Sequence, residues 1–144
     1  MGSDERGSRL AKLVEKALRP LIEPLGARIE HLENIEIDPY GPRIVIQLSS
    51  LGNVETVFID ASPDGVEAVY TIRIEKGLNK NRVEEEISNT IEYSEELQGI
   101  EEYDVAYDPD EGELTITLRA RMIAELPTIQ ELRRIVDEAV SKII

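Results

Sequence analysis

Residues 113–122 constrain the fold most. Leu114, Ile116, Leu118, Ala120 and Met122 alternate with Glu113, Thr115, Thr117, Arg119 and Arg121, the period of two that a half-buried strand requires. One face belongs to a core and the other to water. Turn chemistry precedes the run at Asp108-Pro109-Asp110-Glu111-Gly112, and after Pro127 the pattern Thr128-Ile129-Gln130-Glu131 predicts a capping box that opens an amphipathic helix. These signals describe architecture. They carry no catalytic or cofactor signature.

The remainder of the chain reads in the same way. Leu10, Leu13, Val14, Ala17, Leu18 and Leu21 recur at helical spacing, with Ser8 as the expected cap and Pro20 as the expected kink or end. Residues 27–37 predict a strand in which Ile29, Ile35 and Ile37 share one phase and Leu32 the other, so a bulge near His31-Leu32 is expected. A loop at 38–42 leads to a strand at 43–49, and the turn Gly52-Asn53 to a strand at 54–61 with apolar residues on both faces. Ser62-Pro63-Asp64-Gly65 predicts a hairpin turn, followed by alternation of Val66, Ala68, Tyr70, Ile72 and Ile74 with polar residues.

Asn81 and Glu84 suggest a capped helix start, with Val83, Ile87, Ile91 and Leu97 forming a narrow apolar stripe. Tyr103, Val105 and Tyr107 then alternate as the strand that pairs with 113–122. The last helix is expected to bury Ile129, Leu132, Val136, Ala139, Val140 and Ile143. The order αββββαββα, with about six antiparallel strands and three helices on one face, defines an α+β fold. Residues 1–8 read as a flexible N-terminal tail and 9–144 as a single domain.

Charge decides which partners are reasonable. With 16 Lys plus Arg against 30 Asp plus Glu, the formal net charge is −14, which repels nucleic-acid phosphate and anionic membrane surfaces alike. No nucleic-acid or membrane partner is expected. The absence of cysteine excludes disulfides, thiolate metal sites and cysteine nucleophiles. The first eight residues lack the apolar core of a signal peptide, so a cytoplasmic protein is expected. A charged fraction of 32% without Cys or Trp matches the profile of heat-adapted proteins.

In its middle helix, in Val105-Ala106-Tyr107-Asp108-Pro109-Asp110-Glu111-Gly112-Glu113-Leu114-Thr115-Ile116, and in the capped helix from Thr128, the chain resembles the type III secretion chaperone-like fold, including the YbjN family of bacterial regulators. Those proteins run helix, antiparallel strands, helix, hairpin, helix. The resemblance implies a small homodimeric binding protein without catalysis or cofactor, which engages extended segments of a protein partner. It maps no functional residues onto this chain.

The residues nominate one candidate surface. Arg73, Arg119 and Arg121 fall on the polar phase of their strands with Thr71, Thr115 and Thr117, on the sheet face opposite the helices. Such a basic, threonine-rich face, or alternatively the middle helix, would dock a protein partner or a second copy. The alternative is a solvated face whose arginines pair with Glu67 or Glu75. A ligand or enzyme site would have to assemble from His31, the only histidine, with Glu33 and the loop 38–40. A place as one subunit of a larger assembly is the remaining reading. Asp108–Gly112 echoes a calcium loop but lacks the closing glutamate, and the acidic residues Glu92, Glu95, Glu96, Glu101, Glu102 and Asp104 read as a solvated surface.

Overall fold

The computed structural model describes residues 2–38, 40–52 and 54–144, and side chains for residues 9, 12, 13 and from 15 onward within those stretches. The elements are α1 (Gly2–Ile22), β1 (Leu32–Ile37), β2 (Ile44–Leu51), β3 (Val54–Ser62), β4 (Gly65–Arg73), α2 (Lys80–Tyr93), β5 (Ile100–Asp108), β6 (Glu113–Ala120) and α3 (Ile129–Ser141). The expected αββββαββα order holds. All six strands join one antiparallel sheet in the spatial order β1-β2-β3-β4-β6-β5. Because β6 slips between β4 and β5, the sheet edges are β1 and β5.

Alternation along each strand produces two unlike faces. Ile46, Leu48, Val57, Ile59, Ala68, Tyr70, Leu114, Ile116 and Leu118 are fully buried, and they share one core cluster with Leu18 and Ile22 of α1, Val83 and Ile87 of α2, and Leu132 and Val136 of α3. The helices therefore cover one face. The other phase of the sheet stays half-buried or exposed except at Ser49, which is buried.

Caps form where side-chain acceptors meet the free N–H groups of a first turn. Thr128 Oγ1 accepts from the Glu131 N–H at 3.1 Å while the Thr128 N–H donates to Glu131 Oε2 at 3.0 Å, the expected capping box. For α2 the cap is Asn79, whose Oδ1 accepts from the Arg82 N–H at 3.1 Å, two residues before the expected Asn81.

Several expectations need correcting. α1 begins before Ser8, takes in Gly2–Ser8 of the segment set apart as a tail, and passes Pro20 to end at Ile22. Met1 lies outside the described residues, as do the side chains of Leu10 and Val14, Pro39 of the 38–42 loop and Asn53 of the expected turn. The proline only removes a donor close to the helix end, so two more residues can remain helical. The strand expected over 27–37 is shortened by 3-10 turns to Leu32–Ile37, with its register shift between Leu32 and Asn34. β6 stops at Ala120, which leaves Met122 59% exposed rather than in the core.

The acidic turn is structural. Gly112, at φ 66°, donates its N–H to Asp108 O at 2.9 Å and accepts from the Ile74 N–H at 2.8 Å, and the Gly77 N–H donates to Pro109 O at 2.9 Å. The β5–β6 turn thus docks on the segment joining β4 to α2. Beside it, the buried Tyr107 hydroxyl donates to Glu75 O at 2.5 Å and accepts from the Leu78 N–H at 3.3 Å.

Candidate functional site

The uncovered sheet face is ordered in rows across the strands. One row runs Gln47, Phe58, Val69, Thr117 and Asp104, and the next runs Ser49, Thr56, Thr71, Thr115 and Ala106. Only Asp104, at the β5 edge, carries charge in these two rows. In a chain with 32% charged residues, that leaves an uncharged patch four strands wide. Phe58, the single phenylalanine, is 42% exposed within it and stands directly opposite Val69.

Ion pairs frame the patch at both strand ends. On one side, Arg43 holds Asp60 through Nε at 2.9 Å and Nη2 at 2.6 Å, and Arg119 reaches Glu67 at 2.6 Å and Glu102 at 3.3 Å. On the other side, Arg73 pairs with Glu55 at 2.7 Å and donates to Glu111 O at 3.3 Å. The hydrogen bond from Arg43 lowers the pKa of the Asp60 carboxyl from its ordinary value. Each pair is solvent-exposed and worth little alone. Their joint effect is to tie the arginines down, so that the frame offers no free guanidinium from Arg43, Arg73 or Arg119.

Of the nominated residues, the fold brings together Arg73, Arg119, Thr115 and Thr117 on this face. Arg119 pairs with Glu67 as the alternative reading expected, while Arg73 takes Glu55 rather than Glu75. Arg121 falls one residue beyond β6, where its side chain pairs with Glu101 at 2.9 Å and its N–H donates to Glu125 at 3.2 Å. The face is consequently less basic than its arginines suggested. Phe58 escaped sequence reasoning because Val57-Phe58-Ile59 reads as uniformly apolar. The signal that could have found it was phase, since Val57 and Ile59 already claim the core side.

The residues of the possible ligand site do not converge. His31 sits in a 3-10 turn, its Nδ1 accepting from the Arg28 N–H at 3.1 Å, and Glu33 is exposed at the bulge instead of facing the core. Asp38 accepts from the Tyr40 N–H at 2.8 Å beyond the far end of β1. Six strand residues at about 3.3 Å each separate the two groups by roughly 20 Å. Among the described residues no group of three or more His, Asp or Glu side chains is placed to hold a metal ion. No described helix is long and apolar enough to cross a membrane.

Compared with known proteins, the chain matches no family model, no curated protein and no solved structure.

Proposed function

We propose that this chain is a non-enzymatic, chaperone-like protein-binding module that forms a homodimer through the uncovered face of its sheet. The observation that carries the reading is the uncharged patch centred on Phe58 and Val69, left bare by helices that all pack on the other side. The four strands of the patch, about 4.8 Å apart and four rows of side chains long with its frame, span roughly 300–500 Å², about half of the ~800 Å² that each partner contributes to a standard interface. The frame supports the same partner. Its arginines are already neutralised, so a second copy meets no unpaired cation, and the centre that would be desolvated holds aromatic, aliphatic and hydroxyl groups with the single carboxamide of Gln47.

The topological resemblance to the type III secretion chaperone-like fold points the same way, toward a dimer that handles protein segments. Light scattering coupled to size exclusion over a concentration range tests it. A dimer that Phe58→Glu converts to a folded monomer is the expected result. A strict monomer at every concentration would sink the proposal.

A further inference from the structure

The topology leaves a second surface unpartnered, away from the Phe58 patch. β5 bonds only β6, and among the described residues no hydrogen bond outside that ladder reaches the backbone of Ile100–Tyr107. After the register shift between Ile100 and Glu102, the edge continues regularly to Asp108. Alternate residues along such an edge direct their N–H and C=O groups outward, a row of main-chain bonds waiting for a partner strand. β1, the other edge, has only six residues and carries its own register shift.

The side chains flanking β5 specify the partner. Toward the uncovered face, Glu102, Asp104 and Asp108 are exposed, and Asp104 and Asp108 have no cationic partner among the described residues. Toward the helical side, Tyr103 and Val105 are half-buried, the tyrosine donating to Glu92 of α2 at 2.5 Å. A strand added here would set every second side chain beside Glu102, Asp104, Ala106 and Asp108, three of the four being carboxylates, and the others beside Tyr103 and Val105. A second copy of β5 would bring its own carboxylates into the same row, and like charges at facing positions destabilise a pairing.

We infer that the β5 edge accepts, by strand addition, an extended segment in which lysine or arginine alternates with apolar residues. Main-chain bonds supply the affinity and the acidic row supplies the selection.

The probe is a nine-residue acetylated and amidated peptide alternating lysine with valine, with a second version N-methylated along one backbone edge. Titration followed by amide hydrogen exchange should show saturable binding with protection confined to residues 102–108. N-methylation and Asp104→Lys should each weaken binding at least tenfold, with the variant's melting temperature showing that it stays folded. Phe58→Glu should leave binding unchanged, which separates this edge from the dimer face. Failure to saturate, survival of binding after N-methylation or charge reversal, or protection on β2 and β3 instead would each overturn the inference.

Discussion

Asp60 and Glu67 stand directly opposite one another on β3 and β4, and each carboxylate is held from its far side, Asp60 by Arg43 and Glu67 by Arg119. Two like charges at facing positions destabilise a sheet. The arginines offset that liability by flanking the two carboxylates, giving a charged row that borders the uncharged patch, so strand register determines the electrostatics of the face.

Loss of Arg43 should therefore be felt at neutral pH and not in acid. Because the folded pKa of Asp60 lies below its ordinary value of 3.8, its contribution is present above that value and is lost as pH falls through the lowered one. Arg43→Gln should melt below the native protein at pH 7, with the gap closing toward pH 2. An equal gap at both pH values would refute the assignment.

The two buried tyrosines should respond to hydroxyl removal with opposite signs. Tyr107 makes two hydrogen bonds to the segment that leads into α2, so Tyr107→Phe should cost about 1–3 kcal/mol and speed amide exchange at Leu78. The Tyr70 hydroxyl is buried without a hydrogen-bond partner among the described residues, so Tyr70→Phe should be neutral or stabilising by up to about 1 kcal/mol. Urea denaturation of both variants checks the contrast.

Tyr70 also forecasts alkaline behaviour. Burial raises its pKa far above the ordinary 10.0, so its contribution to stability is complete below that value and declines as pH rises further. Tyr70→Phe should reduce the loss of melting temperature above pH 10. An unchanged alkaline profile would indicate that the phenol reaches water.

Gly112 admits no side chain. A Cβ there would lie 2.5 Å from Ile74 O, at a backbone φ of 66°. Gly112→Ala should cost about 1–3 kcal/mol from backbone conformation alone, with the clash adding to it, and the loss should appear as a lower urea midpoint.

The two phases of β6 should separate stability from association. Leu118 is fully buried, so Leu118→Asp places an unpaired charge in the core and should unfold a domain whose whole stability is about 5–15 kcal/mol. Arg119→Glu should leave the protein folded while weakening the dimer, as read by circular dichroism and light scattering. Equal losses of melting temperature would contradict the face assignment.

The amino-acid order by itself determined the element types, their succession and the core phase of most strands, because periods of two and 3.6 and cap or turn residues are local properties of the chain. Thr128 with Glu131, the Ser62–Gly65 turn and the Asp108–Gly112 turn were all legible for that reason. Limits of elements were less so: α1 ran past Pro20, the cap of α2 fell at Asn79 rather than Asn81, and β6 ended before Arg121. Only the tertiary structure decided that β6 inserts between β4 and β5 and so leaves β5 as an edge. It likewise chose Glu55 over Glu75 for Arg73, and separated His31 from Asp38 by the length of a strand. Strand order and cross-strand pairing join residues distant in sequence, so they arise from burying one shared core rather than from any stretch of the chain.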